Sequence, residues 1–239
     1  MIRTKNKQIL ARQSRLQRYV TREWVSRLKG VPCFILGNGP SIANEPVHLL
    51  DKYFTIGINR AFKLLDPTIL MWQDIGLWNT EHQKLHNLQC LKVCRDIADP
   101  RHIYYNFYLK GDPFQFVGQT HVLYGRGNSG ALAAEFAVAL GCSPIVFLGC
   151  DCCYSGKKGT PDFKTDFWGV NSFHTDNTLM HCVKALEFIR NDCPVPIINC
   201  SNTNVLGPRQ RLQDVLTSLD SKHAIGRQNY VKKLVLNKN

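Results

Sequence analysis

The sequence predicts an α/β layered fold with a mostly parallel central sheet, and three observations predict it. Short apolar runs recur through the middle of the chain: Cys33 to Leu36, Phe54 to Ile58, Ile69 to Trp72, Pro144 to Leu148 and Pro196 to Asn199. Stretches of helical character alternate with them, the clearest being the small-residue run Gly130 to Leu140. A polar residue repeatedly stands just past an apolar run or glycine-rich turn: Asn38, Asn59, Asp74, Asn128, Asp151 and Asn199. Short apolar runs bounded by turn signals suit strands buried on both faces. Their alternation with helices argues for a parallel sheet covered by helices. In such a sheet the strand carboxyl ends line the ligand crevice. One asparagine after a strand is ordinarily a turn residue; the repetition is what points to a site.

The elements follow in order. Ile9, Leu16, Val20, Trp24 and Leu28 recur at helical spacing, which predicts an amphipathic helix within residues 1–30. Arg15, Arg18, Arg22 and Lys29 fall on its opposite side. The strand at Cys33 ends in Gly37-Asn38-Gly39-Pro40-Ser41, read as a tight turn with exposed amides. Residues 42–50 read as a short helix or loop and 60–65 as helical, with Pro67 breaking the chain. Residues 76–95 read as one helix. His102 to Asn106 and His121 to Tyr124 are strand candidates with an irregular loop between them. Gly125 to Ser129 is a second glycine-rich turn. Residues 155–173 form a long polar loop carrying Lys157, Lys158, Phe167 and Trp168, and residues 174–190 return to a helix.

Length fits a single large core with appendages: 239 residues, read as a basic segment 1–30, a body 31–208 and a basic extension 209–239. The net charge of +12 divides unevenly: +8 in 1–30, −1 in 31–208 and +5 in 209–239. Basic ends on a neutral body suit a polyanionic partner, and DNA is the expectation, held mainly through phosphates. An anionic membrane surface or an acidic glycan is the alternative reading, and a merely solvated basic face the plainest one. No apolar run has the length of a membrane helix, and no signal-peptide pattern precedes the body, so a cytoplasmic protein without membrane insertion is expected. The ten cysteines lack paired zinc-site spacing; reduced thiols and no metal site are expected.

The Gly37–Ser41 turn suits two roles. Gly37 and Gly39 permit positive φ and close approach of another molecule, and Ser41 is placed to cap a helix whose free amides attract phosphate. Plain strand-to-turn geometry uses the same residues. The spacing is neither the three-glycine dinucleotide fingerprint nor a P-loop.

Gly37-Asn38-Gly39-Pro40-Ser41, then Gly57-Ile58-Asn59, then Pro67 with Asp74, resemble the opening of the sialyltransferase-like Rossmann families. These include bacterial lipooligosaccharide sialyltransferases, motility-associated flagellin glycosyltransferases and 6-hydroxymethylpterin diphosphokinase-like proteins, with phage members of unassigned role. Asn128-Ser129-Gly130, and Ile145 to Asp151 followed by Tyr154, resemble the second half of the same domain; together the match spans roughly residues 31–205. The resemblance implies a Rossmann-like domain of glycosyltransferase-A-like variant and a nucleotide-activated sugar as donor. It implies that Gly37, Asn38, Gly39, Pro40, Ser41 and Asn59 hold the donor; Asp74, Asn128 and Ser129, from the later strand ends, complete the candidate set. By the same resemblance His174 is the candidate general base and Tyr154 the group on the leaving phosphate, with Asp151 beside them. The diphosphokinase branch uses a magnesium nucleotide, for which Asp74 and Asp151 are the oxygen donors; the sialyltransferase chemistry does not require the ion.

The expected function is therefore transfer of a sugar from a nucleotide donor to an acceptor hydroxyl, with a hydroxylated DNA base as the acceptor suggested by the basic ends. The alternatives are a Mg-ATP-dependent diphosphokinase acting on a small heterocycle and a non-catalytic nucleic-acid-binding protein.

Overall fold

The computed structural model describes residues 17–111, 114–125, 128–152, 176–219 and 221–236. Ten strands are described: β1 Arg18–Tyr19, β2 Cys33–Leu36, β3 Phe54–Ile58, β4 Ile69–Met71, β5 Leu91–Cys94, β6 Tyr104–Asn106, β7 Tyr108–Lys110, β8 Val122–Tyr124, β9 Ile145–Leu148 and β10 Ile197–Asn199. The α-helices are α1 Ile75–Asn87, α2 Ser129–Ala139, α3 Asp176–Asp192, α4 Leu212–Ser218 and α5 Arg227–Val235. Eight strands form one sheet in the order β1-β6-β5-β4-β3-β2-β9-β10, every pair parallel; β7 and β8 pair separately. This is an α/β domain of Rossmann-like design.

Period-two alternation decides which side of the sheet each strand residue serves. In β2, Cys33 and Ile35 join one buried cluster and Phe34 and Leu36 another; in β9, Ile145 and Phe147 join the first, Val146 and Leu148 the second. The first cluster also holds α2 and Leu186 and Ile189 of α3; the second holds Leu212 and Val215 of α4. Both faces are thus covered, which is why β2, β3 and β9 are buried at every position.

The described parts of both basic ends belong to this core, and the predicted N-terminal helix is not found among the described residues. Arg18–Tyr19 is instead an edge strand on β6, followed by one 3₁₀ turn at Arg22–Trp24. The amides of Ser26, Leu28 and Gly30 then donate to the carbonyls of Ala139, Leu140 and Gly141 at 2.9, 2.8 and 2.9 Å. Val20, Trp24 and Leu28 are buried, as their spacing suggested. Tertiary hydrogen bonds to the end of α2 stand in place of intrahelical ones. The C-terminal extension packs too: Tyr230 and Leu234 of α5 enter the first cluster, and Tyr230 lies edge-on to Phe54.

Two further corrections concern the middle. The expected helix over 76–95 stops at Asn87, and Leu91–Cys94 is a central strand. Lys92 disguises it, because its buried ammonium donates to the carbonyls of Leu88 and Cys90 at 2.7 and 3.3 Å, just past the end of α1. The loop expected before His121 contains β7.

Helix α2 is buried almost throughout, and its one ionisable residue, Glu135, is 3 % exposed. One carboxylate oxygen accepts the Tyr124 amide at 2.7 Å; the other has no partner among the described residues. Burial pushes this carboxyl up from its ordinary 4.5 to about 8. Because the folded value is raised, stability is complete below pH 4.5 and is lost as pH rises through 8. Glu135→Gln, which mimics the protonated acid, is expected to abolish that slope and to be the more stable protein at pH 9, by roughly 2–4 kcal/mol at about 1.4 kcal/mol per pH unit less relaxation. Urea unfolding of both proteins at pH 5, 7 and 9 measures it.

Candidate functional site at the carboxyl edge of the sheet

Chain order reverses at β2. From it the chain steps through β3, β4, β5 and β6 on one side, and later through β9 and β10 on the other. Ligand crevices of open parallel sheets form outside the strand carboxyl ends at this switch point. The Gly37–Ser41 turn, Asn59, Gln73, the start of α2, and Gly149–Cys152 all stand on that edge.

The Gly37–Ser41 turn does not present the exposed amides expected of it. Gly37 N donates to Leu148 O at 2.7 Å and Gly39 N to Gly149 O at 2.6 Å. Ser41 N donates to Asp151 Oδ2 at 2.9 Å. Neither Gly37 nor Gly39 has positive φ; Gly39 sits at −65°. Their glycine character answers to the chain's own backbone. A Cβ on Gly37 would lie 2.6 Å from Gly149 C and 2.9 Å from Cys150 Sγ, and one on Gly39 would lie 2.5 Å from the Asp151 carboxylate. Pro40 and Ser41 open a 3₁₀ turn, Pro40–Asn44, rather than a capped α-helix.

Asp151 is 2 % exposed and fully engaged. Besides the Ser41 amide, it accepts from Ser41 Oγ at 2.5 Å and from Asn202 N at 2.8 Å, both on Oδ1. It therefore locks the turns after β2, β9 and β10 together. Asn38 does the same on the other side: its Nδ2 donates to Ile58 O at 3.1 Å and its Oδ1 accepts Arg60 N at 3.1 Å. Asn199 is likewise structural, donating to Thr203 O and Gly207 O at 2.6 and 2.8 Å and accepting Ser201 N at 2.8 Å.

What stays open lies around β3 and α2. Asn59 follows β3 with φ 51°, a left-handed conformation that asparagine tolerates better than most side chains, and its Oδ1 is buried without a partner among the described residues. A buried acceptor with no donor is costly unless something supplies one. Asn128 caps α2, its Oδ1 accepting Ala131 N at 2.8 Å. The first helical amides beyond it, on Ser129 and Gly130, have no intrahelical acceptor. Gln73 Nε2 reaches Ser129 Oγ at 3.5 Å, and a Cβ on Gly130 would lie 3.9 Å from Ile58, so the start of α2 sits over the ends of β3 and β4. Sequence reasoning passes over Gln73 for its neighbour Asp74, which is exposed and makes no side-chain cap on α1.

Magnesium does not fit the two aspartates proposed for it. Asp74 and Asp151 follow β4 and β9, three strand spacings or roughly 14 Å apart. Both oxygens of Asp151 are already taken. Among the described residues no group of three or more His, Cys, Asp or Glu is gathered to hold a metal. His174 and Tyr154 lie outside the described residues, as does Arg15.

The cationic residues read as a DNA-binding surface do not gather at the carboxyl edge. The Arg18 guanidinium lies 4.1 Å over the Tyr105 ring and donates to His102 O. Arg22 Nε donates to His121 Nε2 at 3.4 Å. Lys29 stands beside Gly141, near the amino ends of β2 and β9. In the C-terminal extension Arg209 pairs with Glu45 at 2.8 Å and Arg227 with Asp66 at 2.6 Å. Among the described residues no helix is long and apolar enough to cross a membrane.

Comparison with protein-family models, curated proteins and solved structures gives no match. Fold and site together define a parallel, doubly covered α/β domain with polar side chains gathered along the carboxyl edge at its switch point.

Proposed function

We propose that this protein is a glycosyltransferase that holds a nucleotide-activated sugar at the carboxyl edge of the sheet and passes the sugar to an acceptor hydroxyl by direct displacement. The observation that carries the reading is Asn59: a buried, unpartnered acceptor at the end of the strand beside β2, next to the start of α2. A ribose or sugar hydroxyl, or a base amino group, supplies the missing donor. The phosphate-binding role expected of the Gly37–Ser41 turn passes to the Ser129 and Gly130 amides, where the helix end favours an anion. Asp151 and Asn38 become positioning residues that hold the crevice walls. Catalysis in such a site comes from placing donor and acceptor together and stabilising the departing phosphate. His174 keeps the role of base, since a neutral imidazole takes a hydroxyl proton near pH 7.

The acceptor proposed is a hydroxyl on a DNA base, held through the exposed Arg18, Arg22 and Lys29. A base in a duplex must be flipped or single-stranded to reach a crevice. Truncation of residues 1–29 is not a fair test, because it removes β1 and the buried Trp24. The triple substitution Arg18→Ala, Arg22→Ala, Lys29→Ala leaves those in place. It is expected to weaken DNA binding and to flatten its salt dependence by about one unit of log–log slope for each phosphate no longer neutralised. Unchanged binding at low salt rejects DNA as the acceptor.

Donor and reaction are tested by thermal shift across nucleotides and nucleotide sugars, followed by mass spectrometry of DNA incubated with those that bind. A shift with a sugar nucleotide and none with Mg-ATP is expected; the reverse replaces glycosyl transfer with phosphoryl transfer. Asn59→Ala is expected to lose the shift. His174→Ala is expected to keep it while transfer falls at least ~100-fold, the low end for a general base.

A further inference from the structure

Strands β7 and β8 form a ribbon with two unlike faces. They pair in parallel, Tyr108 opposite Val122 and Lys110 opposite Tyr124, and side chains alternate along each strand. Leu109 and Leu123 therefore share one face, and both pack into the first buried cluster. Tyr108, Lys110, Val122 and Tyr124 share the other, which is turned outward: Tyr108 is 52 % exposed, Lys110 is exposed, and the other two are half-buried. A single exposed apolar ring is ordinary on a protein surface. This one is held in place. Tyr19, the last residue of β1, stacks on Tyr108 with ring centroids 4.5 Å apart and planes 11° apart. The Tyr19 hydroxyl donates to Gln17 Oε1 at 2.8 Å, which fixes the lower ring in turn.

Cations flank the stacked rings. Lys110 Nζ stands 5.7 Å from the centre of the Tyr124 ring and has no carboxylate partner among the described residues. Arg22 Nε donates to His121 Nε2 at 3.4 Å, just ahead of β8, and Thr120 Oγ1 donates to Thr21 O at 2.8 Å. The chain after β1 is thus tied to the start of β8. The outward face of the ribbon carries no carboxylate. On the neighbouring strand end, after β5, Asp96 is paired with Arg95 at 3.0 Å and cancels its charge. We propose that Tyr19 and this ribbon face form a docking surface for single-stranded nucleic acid, in which a base stacks on the Tyr108 ring while Lys110 and Arg22 take flanking phosphates.

An aromatic ring already fixed by a second ring loses little freedom when a base lands on it, so more of the stacking energy is kept as affinity. Every base has a π face, which makes such a platform tolerant of sequence. The unmatched cations favour a polyanion over a neutral partner. Single-stranded nucleic acid fits better than duplex, because paired bases stack on one another and keep their faces covered. Placement agrees with the rest of the site. Tyr19 and Asn106 are the register-paired last residues of β1 and β6, so the stack stands on the same carboxyl edge as Asn59, three strand spacings or roughly 14 Å along it. A strand held there by one base can offer a nearby base to the crevice. The surface rests on the nucleic-acid half of the proposed function and is independent of sugar transfer.

The test is fluorescence anisotropy of the full chain with a labelled oligothymidylate of about 12 nucleotides, at low salt. Tyr108→Ala is expected to weaken binding roughly 5- to 100-fold, the range for losing one base–aromatic stack, and Tyr108→Phe to keep it within about twofold. Lys110→Ala is expected to lower the log–log salt slope by about 0.7, one phosphate on a single strand. Any binding of a duplex of the same length is expected to be unchanged by Tyr108→Ala. Oligothymidylate binding by Tyr108→Ala equal to wild type overturns the proposal. So does an equal loss on the duplex, or a Phe variant as weak as the Ala variant. Should Tyr108→Ala fail to fold, Lys110→Ala decides, and an unchanged salt slope rejects the surface. If the Arg18, Arg22, Lys29 triple variant loses single-strand binding while Tyr108→Ala and Lys110→Ala do not, the platform falls and the nucleic-acid reading stands. A wild type that binds neither strand removes both, and a sugar-nucleotide thermal shift in that same protein leaves the transferase with another acceptor.

Discussion

Gly37→Ala is expected to destabilise the fold severely. The added methyl would overlap Gly149 O and stand 2.6 Å from Gly149 C and 2.9 Å from Cys150 Sγ. Neither wall can yield cheaply. Gly149 O is the acceptor of the Gly39 amide, and Gly37 N is itself bonded to Leu148 O. Gly149 adopts φ 62° with Ile42 against it, so it cannot be displaced without moving the 3₁₀ turn Pro40–Asn44, whose Ser41 and Ile42 are buried. Separating β2 from β9 at this point would break adjacent central strands whose residues are all buried. Overpacking in cores ordinarily costs about 1–3 kcal/mol. Backbone against backbone has no rotamer to escape into, so the loss here is expected to exceed ~4 kcal/mol, against a total stability of roughly 5–15 kcal/mol. Circular dichroism and urea unfolding of the purified variant measure it. A native-like midpoint would mean that the two turns are held more loosely than their hydrogen bonds imply, and that the glycine serves a ligand instead. Gly76→Ala, where an added Cβ meets nothing within 4 Å, is the control.

The same turn shows where sequence reading stops. The strands β2, β3 and β9 are legible because a parallel strand covered on both faces must be apolar at every position. Helix α2 is legible because only small side chains let a helix lie close on a sheet. Residues 18–30 are not, because a four-residue apolar period reports which side chains are buried and says nothing about which backbone groups satisfy the amides. Here Ala139, Leu140 and Gly141 satisfy them. Strand β5 is hidden by a lysine whose ammonium finds carbonyls beyond α1. At the site, the polar residues after the strands do stand on one edge, yet their roles divide in ways spacing does not encode. Asn38, Asp151 and Asn199 each spend both ends on neighbouring turns, whereas Asn59 keeps an acceptor open. A glycine likewise announces that something comes close without saying whether it is a ligand or residue 149 of the same chain.

Asp151→Ala follows from that division and separates a structural carboxylate from a catalytic one. The substitution strands three donors, the Ser41 amide, the Ser41 hydroxyl and the Asn202 amide, in a place only 2 % exposed. Each buried donor left without an acceptor costs about 1–3 kcal/mol, so a loss of roughly 3–9 kcal/mol is expected. The Asn202 amide has a weak alternative in Ser41 Oγ at 3.3 Å, which favours the lower half of that range. Asp151→Asn keeps the volume and one oxygen, but turns an amide donor toward either the Ser41 amide, or the Ser41 hydroxyl and the Asn202 amide together. An intermediate loss is expected, because only the hydroxyl can rotate to accept. In both variants the urea midpoint and any sugar-nucleotide affinity are expected to fall together, since the residue acts by holding the turns after β2, β9 and β10 in register. A catalytic or metal-binding aspartate behaves otherwise: Asp151→Asn would unfold like the wild type and lose turnover alone. Measuring the unfolding midpoint beside the donor-induced thermal shift for the two variants decides between these outcomes. It also bears on the fold as a whole, because the three turns that Asp151 joins belong to β2, β9 and β10, the strands on which the chain reverses direction across the sheet.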